Sequence, residues 1–289
     1  MARSDPKHPS SGSRYLLGDS AREAARLRTQ ARLWDPDSFA LFDRCRIRRG
    51  WRVLEIGPGQ GSLHLELRRR TRRPVDAVEP SPAFAARLKK LCAGDGIGEP
   101  RIWETRLLDA PLPSAHYDLV FARWVFLFLP EPEKHLRRLA RALKPGGLLA
   151  LQDYHRESFA LVPRPHHWAE FLSAERSCFA AEGADVSIGG RLPELYRRAG
   201  LEVVGVRPIV KFGSPGSPTW EWLSAYFLGV MERYSRFAPF TPTKASSLRR
   251  AWVAASRDET SVMIAPAVLD VVGRKRRTRA ARRRQTRST

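Results

Sequence analysis

The stretch VLEIGPGQGS, Val53 to Ser62, decides how the rest of the chain is read. An apolar run carries a single acid, Glu55, and then gives up side chains at Gly57, Gly59 and Gly61, with Pro58 between the first two. Glycine lets the backbone turn sharply out of a strand and lets a ligand lie against the main chain with no Cβ in the way. A helix following such a turn offers unpaired N–H groups and a positive dipole end to an anion. The spacing is G-x-G-x-G, with Ser62 standing where a dinucleotide fingerprint wants its last glycine. An acid at Glu55 is a further departure from that fingerprint.

Working outward, WRVLEIG reads as a strand and SLHLELRRR as a helix with basic residues in its last turn. PVDAVEP is a second strand ending at Glu79 and Pro80, followed by a helix that Ser81 caps and Pro82 begins. PRIWET is a third strand and YDLVFAR a fourth, whose unbroken apolar residues predict burial on both faces. EPEKHLRRLARALKPGG is a helix and LLALQDY a fifth strand. Upstream, Ala24, Leu27, Ala31 and Trp34 recur at helical spacing and predict a helix from Ser20 that breaks near WDPDS. Strands alternating with helices make an α/β, doubly wound parallel sheet, with ligands bound beyond the carboxyl ends of its strands.

After His155 the rhythm loosens. HWAEFLSAERSCFAAEG and TWEWLSAYFLGVMERY each put large apolar residues on one helical face and read as a cap over the ligand edge, although such a stripe is commonly plain core. LEVVGVRPIVK and APAVLDVVGRK are two further strands.

The 289 residues carry a formal charge of +21. Arg274 to Thr289 hold nine of those cations and no acid, which leaves +12 on the preceding residues. A block of like charge is most simply a solvated extension, and contact with nucleic acid or an acidic surface ranks below that. Three cysteines without a CxxC pair argue against a disulfide framework and a structural zinc site, and no metal is expected. The N-terminal residues lack the apolar core of a signal peptide, and no apolar run approaches the roughly 20 residues a bilayer requires. The expected setting is the cytoplasm.

Glu55, the three glycines and Glu79 together form E-x-G-x-G-x-G plus an acid ending the second strand. This pattern resembles the class I methyltransferases that use S-adenosyl-L-methionine, especially the small-molecule branch related to the ubiquinone and menaquinone methyltransferases. The resemblance spans about Tyr15 to Gly273 and is strongest from Val53 to Tyr154. It implies a Rossmann-like seven-stranded sheet with one antiparallel strand and a helical cap. It further implies that Gly57, Pro58, Gly59 and Gly61 lie under the methionine part of the cofactor, that Glu55 serves its amino group, and that Glu79, next to Pro80, accepts the ribose hydroxyls. Ala122 and Arg123 fall at the cofactor edge. The family's acid after the third strand is missing here, where Thr105, Arg106 and Leu107 stand, so Leu107 and Asp109 become the adenine candidates. In the N-terminal segment Tyr15 and Gln30 are candidates, with packing as the competing reading.

The implied organisation is a disordered lead-in at 1–14, one methyltransferase domain at 15–273 with cap insertions at about 156–200 and 212–260, and a disordered basic tail at 274–289. Methyl transfer is an in-line displacement in which positioning supplies much of the rate, so neither a metal nor a covalent nucleophile is required. A protonated acceptor would need a base, for which His155 is the best-placed histidine, and Arg123 is the other catalytic candidate; a cap contact is the competing reading of His155. The expected partner is a small, apolar or aromatic acceptor. Two further readings stand behind it: a nucleic-acid methyltransferase, disfavoured because Ala122–Val125 lack the Asn/Asp-Pro-Pro-aromatic motif of amine methylation, and a catalytically idle cofactor-binding module. Oligomeric state leaves no mark in the sequence.

Overall fold

The structure is a computed structural model that describes residues 21–277, with side chains from Thr29 onward. In chain order the elements are α1 (Ala21–Arg44), β1 (Val53–Ile56), α2 (Ser62–Thr71), β2 (Asp76–Val78), α3 (Pro82–Cys92), β3 (Ile102–Trp103), β4 (Tyr117–Arg123), α4 (Pro132–Ala142) and β5 (Leu143–His155). There follow β6 (Ala160–Val162), α5 (Trp168–Ala181), α6 (Ile188–Arg198), β7 (Leu201–Ile209), β8 (Phe212–Gly213), α7 (Pro218–Tyr234), α8 (Pro242–Ala255), β9 (Val262–Ile264) and β10 (Ala267–Lys275). Tyr15, the lead-in and the tail beyond Arg277 lie outside the described residues.

Seven strands form one sheet in the order β3-β2-β1-β4-β5-β10-β7. The pairs from β3 to β5 are parallel, and only β10 runs against its neighbours β5 and β7. This is the expected doubly wound sheet with one reversed strand. The order turns back between β1 and β4, the switch point where such sheets open a crevice for ligands. Its inner strands are buried on both faces: Val53 through Ile56 and Leu119 through Ala122 are all buried, as apolar runs in a parallel sheet require. Because β10 is reversed, Ala267 pairs with His155 at the crevice end and Arg274 with Leu148 near the other, so the strand finishes on the pole away from the crevice.

The first helix differs from the sequence expectation. It does not break near WDPDS but runs through Pro36 to Arg44. A proline inside a helix costs about 3 kcal/mol, and tertiary anchors offset it. Trp34, Leu41 and Phe42 are buried, Asp35 pairs with Arg123 at 2.7 Å, and Ser38 donates to Gln152 Oε1 at 2.5 Å. Gln152 donates in turn to Asp270, which also takes Arg44. A polar chain thus ties the helix to β4, β5 and β10.

The expected cap stretch 156–200 divides in two. α5 stands with α7, whereas α6 lies against the sheet and touches β5, β7 and β10. A second sheet of three short strands, β6-β9-β8, joins the two insertions, and periodicity gave no sign of it. Most of the aromatic stripe of the cap is its own core: Trp168 and Phe171 on α5 pack on Phe227 of α7, which stacks on Trp252 of α8 at 4.2 Å. β10 continues to Lys275, so the first residues of the expected tail belong to the sheet.

Candidate active site

β1 ends in a turn whose three glycines all have positive φ, at 64°, 54° and 87° for Gly57, Gly59 and Gly61. Their surroundings separate their roles. A Cβ on Gly57 would lie 2.8 Å from Val125 Cγ2, and one on Gly61 2.9 Å from Leu91 Cδ1, so these two are small because the turn packs tightly. A Cβ on Gly59 would meet nothing within 4 Å. That position alone faces open space, where a ligand can approach the backbone. Pro58 is buried beneath the turn and its carbonyl accepts from Gly61 N at 2.9 Å.

Glu79 straps the turn to the start of α3. Its Oε2 accepts from Gly59 N at 3.3 Å and its Oε1 from Ser81 N at 2.9 Å, and Pro80 beside it is exposed. Burial pushes the Glu79 carboxyl above the usual range, the Ser81 and Gly59 N–H bonds oppose that, and the nearby Glu55 adds to it. Glu55 is buried and meets His64 Nδ1 of α2 at 2.9 Å. The turn therefore carries two neighbouring acids and an open backbone. Each carboxylate oxygen has lone pairs beyond those used here, so hydroxyls and an ammonium fit these acceptors and a pyrophosphate does not.

The other sequence candidates scatter around this centre. Ala122 is buried at the end of β4, paired with Ile56 and Leu151. Leu107 is buried in the main core while Asp109, two residues on, is exposed. Arg123 is engaged in structure: its guanidinium binds Asp35 and Ser38 of α1 and covers the Trp124 ring at 4.7 Å. His155 packs on the α6 side, where a Cβ on Gly190 would sit 2.9 Å from its Nδ1. Gln30 reaches a cavity, where it accepts from Trp222 Nε1 at 3.4 Å.

That cavity, about 60 Å³, lies beyond β4 and β5. Trp124 and Leu127 follow β4, Tyr154 and Arg156 flank the end of β5, Glu175 comes from α5, and Trp222 and Tyr226 come from α7. Val125, in the same loop as Trp124, is the residue that touches Gly57, so cavity and glycine turn share a wall. Tyr154, still on β5, and Arg156, in the turn just past its end, line it, while His155 between them packs on the α6 side. Sequence reading missed Arg156, Glu175 and Trp124. Neither Arg156 nor Glu175 left a local signal, because the two are partners 19 residues apart.

Among the described residues no His, Cys, Asp or Glu group has the arrangement of a metal site, and no helix is long and apolar enough to cross a membrane. Strand order, reversed strand and acid-flanked glycine turn define the class: a doubly wound protein with its cleft at the β1/β4 switch point. Residues 54–151 match the methyltransferase domain family. The chain is 27% identical over 188 residues to 27-O-demethylrifamycin SV methyltransferase of Amycolatopsis mediterranei (strain S699), covering 65% of this chain and 66% of that one. It is 36% identical over 104 residues to trans-aconitate 2-methyltransferase of Rhodopseudomonas palustris (strain BisB18), covering 35% and 38%. The matches thus span about two thirds of one relative and little over a third of the other. In fold it is similar to geranyl diphosphate C-methyltransferase from Streptomyces coelicolor A3(2), at a TM-score of 0.55 and 16% identity over 90% of this chain and 85% of that one. Residues 54–151 thus carry a methyltransferase domain, and the chain is similar there to methyltransferases that act on small molecules.

Proposed function

We propose that this chain transfers a methyl group from S-adenosylmethionine to a small, apolar or aromatic acceptor held under the cap. The observation that carries the reading is the shared wall: Val125 touches Gly57 on one side, and its neighbour Trp124 lines the cavity on the other. A bound cofactor supplies an electrophilic methyl group. Glu55 and the open backbone at Gly59 would hold its amino-acid part and Glu79 its ribose, with Leu107, Asp109 and Ala122 toward its base.

Within the cavity the chain's own contribution is orientation and exclusion of water. Trp124 stacks with Tyr154 at 5.4 Å and with Trp222 at 6.3 Å, giving flat apolar walls. A cavity near 150 Å³ holds one benzene, so a space of about 60 Å³ has to widen for a ring to enter. Trp222 and Tyr226 both stand on α7, and a small shift of that helix moves two walls together. The three unpaired, buried cysteines suit a reducing compartment, and we place the protein in the cytoplasm. Incubation with labelled cofactor and a panel of phenols, quinones and polyketides tests the reading. Label on one of them supports it, and label only on RNA or protein overturns it.

A further inference from the structure

The polar end of the cavity carries more hydrogen-bond donors than the chain can use. Arg156 Nε and Nη2 donate to Glu175 Oε2 and Oε1, each at 2.7 Å, and Tyr226 adds a third bond to Oε1 at 2.7 Å while sharing another with the Tyr234 hydroxyl at 2.8 Å. Glu175 is 0% exposed, and its charge is fully engaged by these three donors. A guanidinium has five N–H hydrogens, so three remain on Arg156, which is 6% exposed and lies over the rings of Phe159 at 4.7 Å and Tyr226 at 4.8 Å.

A second observation lies beside Tyr154. Trp124 stacks on that ring, and its Nε1 is buried with no hydrogen-bond partner. The Arg156 guanidinium is 5.8 Å from the same ring's centroid. Spare donors therefore lie close to one aromatic wall of the same cavity, and the acceptors beside them are taken: Glu175 by Arg156 and Tyr226, the Gln30 oxygen by Trp222. A buried donor with nothing to donate to costs about 1–3 kcal/mol, and a ligand that brings acceptor oxygens recovers it.

We propose that the methyl acceptor is an organic oxyanion, a carboxylate or an ionised enol or phenol on an aromatic or apolar body, gripped by Arg156 with Trp124 Nε1 as second donor. The inference rests on the methyl-transfer reading of the same site. Glu175 neutralises the guanidinium from behind and leaves its remaining N–H groups for the cavity, so it both fixes and attenuates the attraction. Recognition needs only the oxyanion, whichever atom takes the methyl.

Calorimetric titration of the full chain, saturated with S-adenosylhomocysteine, with benzoate, benzamide and benzylammonium tests this. Benzoate is expected to bind roughly tenfold or more tightly than the other two, since the three share one ring and differ in charge. Glu175→Gln removes the countercharge at nearly constant shape and is expected to tighten benzoate roughly tenfold while leaving benzamide unchanged. A merely structural pair would give the opposite sign. Equal or better binding of benzamide or benzylammonium, weaker benzoate binding by a folded Glu175→Gln, or binding of none of the three overturns the proposal. If Glu175→Gln does not fold, the three-probe series on the unaltered chain still decides. The preceding titration with S-adenosylhomocysteine reports separately on the methyl-transfer reading: no heat there overturns that reading, whereas a bound nucleoside with no preference for benzoate overturns only the oxyanion.

Discussion

Arg123, the last residue of β4, closes a 2.7 Å ion pair with Asp35, the residue preceding the proline inside α1. Both side chains are about nine-tenths buried. The pair fastens the first helix over the crevice end of the sheet. Removing one partner of a buried pair costs about 3–5 kcal/mol because the other charge is left uncompensated. Arg123→Met is expected to lower stability by roughly 3–5 kcal/mol in denaturant unfolding, and adding Asp35→Leu to it should recover part of that loss. A variant with undiminished stability and a collapsed turnover would assign Arg123 to chemistry instead.

The glycine turn predicts a split between two alanine substitutions. Gly57→Ala drives a methyl into Val125 and should destabilise the fold by roughly 1–3 kcal/mol, with Val125→Ala restoring part of it. Gly59→Ala meets no neighbour, so its stability cost is confined to backbone strain at positive φ, about 1 kcal/mol. It should instead weaken S-adenosylhomocysteine binding at least tenfold by calorimetry.

Glu79 should make cofactor affinity depend on pH. Its carboxyl is raised by burial, and the ionised form is the better acceptor of ribose hydroxyls. Affinity for S-adenosylhomocysteine should fall on acidification earlier than an ordinary carboxylate would cause. Glu79→Gln should bind about tenfold or more weakly, with that pH dependence flattened; retention of the same profile in the variant would place the titrating group elsewhere.

Asp270 gives a stability test with a defined sign. Burial raises its carboxyl to about 6, against the opposing bonds from Gln152 and Arg44. The folded state therefore binds the proton more tightly than the unfolded chain does, so stability contributed by the protonated form is present below about pH 4 and lost as pH rises through about 6. Asp270→Asn should gain relative to the unaltered chain between those limits, by on the order of 2–3 kcal/mol. Parallel denaturation curves at pH 4, 5, 6 and 7 measure it, and a constant difference across the series would refute it.

The parallel half of the fold was legible because its signals are local. Apolar runs, the Ser81 cap and the glycine turn all sit within a few residues of the elements they define, and β3 shrank to two residues only at its ends. The course of α1 was not legible, since Pro36 is a local signal while its compensation comes from Arg123 and Gln152, each more than 80 residues away. The small sheet joins residues 160–162 to 262–264, a pairing across about 100 positions that no periodicity encodes. At the site, the acids and glycines were named from their spacing. The cavity wall was not, because Arg156, Glu175 and Tyr226 come from three separate elements and become a unit only when the cap folds down.

The reversal of β10 has a practical corollary for anyone handling this protein. A chain continued past Lys275 sets out from the rim opposite the mouth of the cleft, so an affinity handle or fluorescent fusion appended there starts with a clear berth from the working end. The first helix offers no such freedom: α1 is moored directly to the strands that frame the opening, and its Gln30 stands in the wall of the cavity itself.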